Sequence, residues 1–443
     1  MHSRSHQIAG LGGALLLFLR VMPAGHGGIT YDRQHRILRV TDCLQSVPCT
    51  PRALWLTDRM NGWGCTEYAS ETDTYTLDAD LWIGSNDGAE THFQVGSAEH
   101  PRETLVVRGH VIISPFHIPG EGQVRDWRSG RGAVNRLTIG VEGNPEVRPV
   151  LKIFSEPGSE HTLYVGRTPA ALTGLERGGE LHVYHGTITA AVQDKDHMIG
   201  SPGKHRVLYM AGRVVLKHAV LSWIAGKMAY GMRGAILENT TFENGGTAIL
   251  GRKHTLTGCT FRNLQTAILD YGNLDITLRD CVFENNRRNW SLRFTGQGLT
   301  CIDCTWDAPA LPNEYRSYLH PKMKRTLYPT FLSRRHVVVA VVDEQGGPVK
   351  GADVSVACEQ EVPETVTNDN ARTDAAGRTP GQGSEHAILL TEVMKRATDT
   401  PMKPAVTEYS YEVRVHAPGS KETVVSNVRP TESWQTVRVQ LAR

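Results

Sequence analysis

The chain has 443 residues, and its 48 Lys and Arg nearly balance its 46 Asp and Glu. This length is enough for two or three domains with a large core, and the balanced charge argues against nucleic acid as a partner. The 44 glycines and the many short runs of Val, Ile, Leu and Thr predict an all-β chain with many turns, because long amphipathic helical patterns are almost absent.

Residues 1–28 are predicted to be an export signal. A weakly basic start precedes the apolar run "IAGLGGALLLFL" at 8–19, which is too short to span a bilayer as a helix, and small residues follow at Ala24, Gly25, Gly27 and Gly28. We therefore expect a secreted or cell-surface protein. An uncleaved anchor and a misassigned start are the alternatives, and no other segment is predicted to cross a membrane.

Three of the eight cysteines lie near the N-terminus, at Cys43, Cys49 and Cys65. An exported chain permits disulfides. Cys43 and Cys49 are the local pair that we expect to be joined.

A six-letter word recurs in the middle of the chain as "NTTFEN" (239–244), "GCTFRN" (258–263) and "DCVFEN" (280–285). The large residue of each word belongs to a series with members 19 to 23 residues apart: Leu221, Phe242, Phe261, Phe283 and Trp306. Four further series keep fixed offsets from it. Five residues before it stand Leu216, Leu237, Leu256, Leu278 and Cys301; three before it His218, Asn239, Gly258, Asp280 and Asp303; two before it Ala219, Thr240, Cys259, Cys281 and Cys304; and two after it Asn244, Asn263 and Asn285.

A repeat of this length with uneven loops is typical of stacked coils, each contributing a layer of parallel β-structure. Equivalent residues of successive coils then lie about 4.8 Å apart. The large apolar series predict inward stacks, and the polar or glycine series between them predicts an outward corner. The repeated Asn favours a left-handed turn, and its stacked amides are expected to hydrogen-bond from coil to coil.

The segments "TAILGRKHTLTGCTFRN" and "TAILDYGNLDITLRDCVFEN" resemble the repeat of the pectin-lyase-like superfamily, whose fold is a right-handed parallel β-helix. The resemblance covers 206–308, and we assign 201–310 to the regular helix. Upstream, "YTLDADLWIGS" (75–85), "NRLTIGVEGN" (135–144) and "GELHVYHGTITA" (179–190) look like irregular coils within 29–200. A separate β-sandwich over 30–200 is the alternative. The superfamily holds lyases, hydrolases, adhesins and surface proteins, so the resemblance does not fix an activity.

A β-helix polysaccharide lyase needs a base, a cation that neutralises the uronate carboxyl group, and an acid. Coil stacking predicts one polar face with candidates for these roles on successive loops. We assign Lys253 or Arg252 as base, Arg293 as neutralising cation and Tyr271 as acid, with Asp270 beside them. A polar loop face without catalysis is the alternative, and the sequence offers no convincing carboxylate pair for a hydrolase.

Aromatic and arginine-bearing segments favour sugar rings through stacking and forked hydrogen bonds. Two such segments are candidates for substrate binding: Arg287 and Trp290 in "RRNWSLRF" (287–294), and Trp63 in "NGWG" (61–64). Either tryptophan is equally suited to a core position.

The spacing of Cys301 and Cys304 is that of a metal or redox pair, but both residues occupy inward columns, which favours buried thiols. No ligand spacing for a structural metal occurs, so we expect no metal and no other cofactor. Calcium is a minor alternative at "DKDH" (194–197) and "LDAD" (77–80), where solvated loops are the simpler interpretation.

The stretch 307–335 breaks the repeat and carries four prolines, and residues 311–335 within it are predicted to be a linker or cap. Residues 336–443 resemble the carboxypeptidase-regulatory-like, or transthyretin-like, β-sandwich. "HVVVAVVDEQGGPVKGADVSV" (336–356) and "TDAAGR" (373–378) carry the resemblance, and an insert at about 378–407 departs from it. Such modules are accessory, so the resemblance implies no peptidase chemistry.

Two functions follow as hypotheses. The first is an exported β-helix protein that binds or processes a polysaccharide or cell-surface glycan, an acidic one by β-elimination if it is a lyase. The second is a non-catalytic cell-surface or matrix protein in which the helix is a spacer. Irregular early coils with long loops are expected to leave a cleft where a substrate would bind.

Overall fold

The fold was derived from a computed structural model. It describes residues 28–84, 90–114, 135–155, 161–165, 179–200, 208–210, 213–225, 227–230, 235–250, 254–269, 276–292, 298–320, 325–358, 360, 370–400 and 403–442. The chain forms two compact units, Met1–Gly226 (unit 1) and Lys227–Arg443 (unit 2). The predicted fold class is confirmed: the described chain is almost entirely β, with parallel coils and a β-sandwich. No helix in the described ranges is both long and apolar enough to span a membrane.

The described residues of unit 1 contain one α-helix, α1 (Pro51–Asn61), one 3₁₀ helix (Ser70–Thr72) and sixteen strands. The strands are β1 (Ile29–Asp32), β2 (Ile37–Val40), β3 (Thr66–Ala69), β4 (Thr74–Leu77), β5 (Asp80–Ile83), β6 (Thr91–Val95), β7 (Thr104–Val107), β8 (Val111–Ile113), β9 (Asn135–Ile139), β10 (Val150–Ile153), β11 (Leu163–Val165), β12 (Gly179–Tyr184), β13 (Thr187–Ala190), β14 (Leu208–Met210), β15 (Arg213–Lys217) and β16 (Val220–Ser222).

Three parallel stacks organise these strands. They are β2–β5–β8–β11–β14, β6–β9–β12–β15 and β4–β7–β10–β13–β16. Each turn of chain therefore contributes a strand to all three faces, as coils do and antiparallel sandwiches do not. Alternate side chains point inward and are fully buried, such as Leu81 and Ile83. Strands β1–β2 and β3–β4 are antiparallel pairs near the N-terminal end.

Unit 2 contains β17 (Lys227–Tyr230), β18 (Ile236–Glu238), β19 (Thr241–Leu250), β20 (His254–Thr257), β21 (Thr260–Leu269), β22 (Ile276–Arg279), β23 (Val282–Glu284), β24 (Trp290–Leu292), β25 (Leu299–Ile302), β26 (Thr305–Trp306), β27 (Glu314–Tyr315), β28 (Tyr318–His320), β29 (Arg325–Leu327), β30 (Thr330–Val342), β31 (Asp353–Cys358), β32 (Asn370–Arg372), β33 (Ile388–Arg396), β34 (Ala405–Glu408), β35 (Tyr411–His416), β36 (Thr423–Val428) and β37 (Gln435–Gln440).

The coils of unit 2 follow the columns that the sequence predicts. Phe242, Phe261 and Phe283 are in register, and their rings stack with centroids 5.3 and 4.9 Å apart. The column from Leu237 to Cys301 is also in register along β18–β20–β22–β25. These stacked side chains are buried and form the core of the coils.

The predicted corners are confirmed by their backbone angles. Asn239, Gly258, Asp280 and Asp303 have φ between 48° and 63°. The Asn series has φ of 51° to 55°, and Asn263 Nδ2 donates to Asn244 Oδ1 at 3.0 Å. Left-handed backbone strains most side chains but is tolerated by Asn, Asp and Gly, which explains the residue types in both series.

The sandwich packs one sheet, β34–β33–β30–β37, against another, β32–β31–β35–β36. The 13-residue strand β30 belongs to both parts of unit 2. Its first half pairs with β25 of the last coil, and its second half pairs with β37 of the sandwich. A continuous strand is stiffer than a loop, so the sandwich is attached to the coils by a β-sheet connection.

Candidate functional site

A groove of about 420 Å³ lies beside the first irregular coils of unit 1. Its lining is rich in polar and ionisable groups: Pro48, Thr50, Arg52, Gln94, Gly96, Ser97, Ala98, Glu99, His100 and Glu103. The volume falls within the range of roughly 300 to 1,000 Å³ that is usual for small-molecule sites. We call this cavity the coil groove.

The start of α1 forms one wall of the coil groove. Thr50 caps the helix, because its Oγ1 accepts a hydrogen bond from the Ala53 N–H at 3.3 Å, and Pro51 begins the first turn. The predicted disulfide between Cys43 and Cys49 is present just upstream. These local constraints position Arg52 on the groove wall.

An Asp–His pair contributes its histidine, His100, to the groove lining. Asp73 ends the 3₁₀ helix in a left-handed conformation, φ 46°, and its Oδ2 is 3.0 Å from His100 Nδ1. Tyr68 donates its hydroxyl to Asp73 Oδ1 at 3.3 Å. Because Asp73 holds Nδ1, the nitrogen of His100 that is available to a groove ligand is Nε2.

Glu103 is a carboxyl group on the groove wall that is only 3% exposed. Burial raises its pKa to about 7, with Asp73 adding to the shift, while the Gly96 N–H and His100 act in the opposite direction. The Gly96 N–H donates to Glu103 Oε2 at 2.7 Å. Gly96 has φ 82°, and a Cβ there would meet Pro149 Cγ at 2.5 Å, so this donor position requires glycine.

Aromatic rings extend from the Asp–His pair towards α1. Tyr75 stacks on Tyr68 with ring centroids 4.4 Å apart, and Tyr68 lies 5.4 Å from Trp55 of α1. Tyr75 is buried, whereas Tyr68 and Trp55 are half-exposed. The aromatic row therefore stabilises the Asp73 side of the site and leaves two rings partly open to ligands.

The coil groove combines the groups needed for proton transfer. Glu103 retains a proton at a pH where an exposed glutamate is ionised, so it is suited to act as an acid. His100, oriented by Asp73, is suited to act as a base through Nε2. Arg52 supplies a guanidinium that can pair with a ligand carboxylate.

The five predicted catalytic residues, Arg252, Lys253, Asp270, Tyr271 and Arg293, lie outside the described residues, as do residues 1–27 of the predicted signal. Their roles stay predictions.

The predicted substrate-binding residues are dispersed. Trp290 is 1% exposed and stacks on Phe331 in the core, with Nε1 donating to the Tyr315 hydroxyl at 2.8 Å. Its ring therefore offers no face to a sugar. Trp290 occupies a core position, which was the alternative that the sequence left open. Arg287 is exposed and bonds Gln265, and Trp63 is half-buried against Tyr31.

The cysteine pair at 301 and 304 is buried, as its columns predict, and neither residue is in a disulfide. In the part of the chain that the structure describes, no three His, Cys, Asp or Glu side chains are grouped to hold a metal ion.

Carboxylates of the two calcium candidates are engaged by the chain itself. Asp78 pairs with Arg36 at 2.7 Å, and Asp194 Oδ1 is 2.7 Å from His197 Nδ1. Calcium binding there stays a prediction.

Sequence reasoning missed the coil groove because its residues belong to no repeat. Asp73 and His100 meet only through a left-handed turn and the turn at Ser97–His100, where the Ser97 N–H bonds the His100 carbonyl at 3.2 Å. Sequence reasoning also did not single out a pair of corner carboxylates in unit 2, although the repeat carries a signal for it. Asp280 and Asp303 are consecutive members of one column, and the register places their strands side by side.

No protein-family model, no curated protein and no solved structure matches the chain.

Proposed function

We propose that this protein binds and processes a polysaccharide, and that the coil groove is the site of proton transfer. The observation that carries the proposal is the buried Glu103 carboxyl on the groove wall, beside a histidine oriented by Asp73. A parallel β-helix presents a long side to a polymer, and this groove adds an acid, a base and a cation to that side.

β-Elimination from a uronate-containing chain fits these groups. His100 takes the proton on the carbon next to the uronate carboxyl group, and that electron pair forms a carbon–carbon double bond as the glycosidic carbon–oxygen bond breaks. Glu103 gives its proton to the departing oxygen. Arg52 pairs with the uronate carboxylate and stabilises the negative charge that develops on it.

The test is the ultraviolet absorbance of the unsaturated product, measured with a panel of uronate polysaccharides. We expect Glu103→Gln and His100→Gln each to lower turnover roughly 100-fold or more, because each removes a proton-transfer group. Glu99→Gln is the matched control, since Glu99 is exposed on the same groove. Activity should also fall as pH rises through about 7, as Glu103 loses its proton.

One observation favours the scaffold alternative. Strand β30 joins the last coil to the sandwich without a loop, as a rigid spacer would require. If every polymer gives a flat trace, and a reducing-sugar assay also excludes hydrolysis, the catalytic proposal is wrong. Binding of glycan without turnover would then support the scaffold.

A further inference from the structure

A second polar cavity, of about 250 Å³, lies in unit 2 where the last coils meet the sandwich. We call it the junction pocket. Its lining includes Arg279, Asp280 and Asp303 from the corners of two coils, and His336 from the start of the sandwich. Two sandwich loops complete it, and one of them carries Trp434.

His336 is fixed in the junction pocket by Asp303. The His336 N–H donates to Asp303 Oδ1 at 2.9 Å, and His336 Nδ1 contacts Asp303 Oδ2. Burial acts to raise the pKa of Asp303, but its hydrogen bonds with His336 outweigh burial and hold the pKa below the ordinary value. The carboxylate is therefore ionised near neutral pH and holds the imidazole in one orientation.

Trp434 lies flat on this imidazole. The two rings are 4.5 Å apart and 5° from parallel. Trp434 has φ 58°, a strained conformation for an aromatic residue, and the neighbouring Ser433 hydroxyl is 3.1 Å from Arg335 Nη1. Strain of this kind persists only where surrounding contacts hold it, and it is concentrated at binding and active sites. The indole ring is thus preorganised on the pocket wall.

The adjacent wall is polar and available. Asp280 is the corner residue one coil before Asp303 and is exposed, and among the described residues its carboxyl group makes no hydrogen bond or ion pair. Burial, and then the charge of Asp303, raises the pKa of Asp280. Arg279 precedes it and is also exposed. A carboxylate and a guanidinium beside a fixed aromatic face match the hydroxyl groups and the apolar face of a sugar ring.

We propose that the junction pocket is a second glycan-binding site, in which a sugar ring packs on Trp434 and donates hydroxyl hydrogen bonds to Asp280. The ligand class rests on the proposed function, but the site needs no turnover and none of its residues belongs to the coil groove. The sandwich therefore contributes directly to ligand binding through its Trp434 loop.

Titration calorimetry with defined tetrasaccharides of glucose, N-acetylglucosamine and galacturonate tests this inference. The titrated protein carries Glu103→Gln, so that any cleavage of the ligand is slowed during the measurement. We expect Trp434→Asn to weaken binding of the preferred tetrasaccharide roughly tenfold, the loss that corresponds to about 1.4 kcal/mol of stacking. Asn tolerates the left-handed backbone at this position, so the variant should fold.

Asp280→Asn keeps the shape of the corner and should weaken binding several-fold, while Glu432→Gln, an exposed neighbour outside the pocket lining, should leave it unchanged. Equal affinities in all four proteins, or no binding up to about millimolar ligand, would overturn the inference. If Glu103→Gln abolishes turnover while Trp434→Asn binds normally, the proposed function stands and the junction pocket fails. If Trp434→Asn loses binding and the wild-type protein shows no turnover, the junction pocket stands and the proposed catalysis fails.

Discussion

Glu103 retains its proton at a pH where an exposed glutamate has lost it, because burial raises its pKa to about 7. In the unfolded chain its pKa is about 4.3. Between these two values the folded state binds more protons than the unfolded state, so the contribution of Glu103 to stability falls as pH rises from about 4.3 to about 7. Its role as an acid therefore has a cost in stability at high pH.

Replacing Glu103 by Gln, which does not ionise, should remove this pH dependence. The quantity to compare is the unfolding free energy of the variant minus that of the wild type. This difference should be larger at pH 8 than at pH 4 by an amount on the order of 3 kcal/mol. Urea unfolding at the two pH values measures it. Burial lowers the pKa of His92 to about 4, so the contribution of His92 to the unfolding free energy rises with pH. This contribution is the same in both proteins and cancels in the difference between them. An equal difference at both pH values would show that Glu103 ionises normally.

The residues of the junction pocket and of the coil groove differ in how far their proximity can be predicted from the sequence. Asp280 and Asp303 are recognisable as neighbours, because a repeat converts sequence spacing into distance. His336 and Trp434 are not, since they reach the same corner through β30 and a sandwich loop that follow no period. The coil groove was equally hidden, because Asp73, His100 and Glu103 belong to no repeat and come together only in the folded chain.

The Asn series shows how a corner is stabilised at the level of one coil. Asn263 combines left-handed backbone with an amide hydrogen bond to Asn244. The two effects are separable, because Gly adopts this backbone without strain but has no amide, whereas Ala has neither advantage.

We therefore expect Asn263→Gly to lose about 1 kcal/mol of unfolding free energy, for the hydrogen bond, and Asn263→Ala to lose about 1 to 2 kcal/mol more. Chemical denaturation of both variants measures the two losses. Arg262→Ala is the control, because its exposed ion pair with Glu243 should contribute under about 1 kcal/mol. Equal losses for Gly and Ala would show that backbone conformation is not what selects Asn.

The elements of unit 2 were predictable because each coil repeats the same inward and corner positions, as in the stack Phe242–Phe261–Phe283. The stacked strands of unit 1 are just as buried. In the stack β4–β7–β10–β13, however, the paired first residues are unevenly spaced along the chain, at Thr74, Thr104, Val150 and Thr187. Loops of variable length remove the period without disturbing the packing, because coils need only matching strands to pair. Sequence therefore predicts coils there only by their strand patterns.

The whole molecule carries six free cysteines, and their burial reports on its integrity. Cys65, Cys259, Cys281, Cys301 and Cys304 are buried, and only Cys358 is half-exposed. Burial, with Asp58, raises the pKa of Cys65 to about 12, and burial also raises the pKa of Cys301. The column Cys259–Cys281–Cys304 stays reduced because parallel Cβ directions on neighbouring coils suit disulfide geometry poorly.

An aromatic disulfide reagent should therefore label one thiol, Cys358, quickly in the native protein and all six in urea. The five slow thiols should react at rates set by local or global opening, since the reagent cannot reach a sulfur that is buried in the core. Cys65 reports on unit 1 and the coil cysteines report on unit 2, so peptide mapping of the labelled sites measures the opening of each unit separately. A native protein that labels Cys281 as fast as Cys358 would contradict the packed column, whereas fast labelling of Cys65 alone would locate the opening in the unit that contains the coil groove.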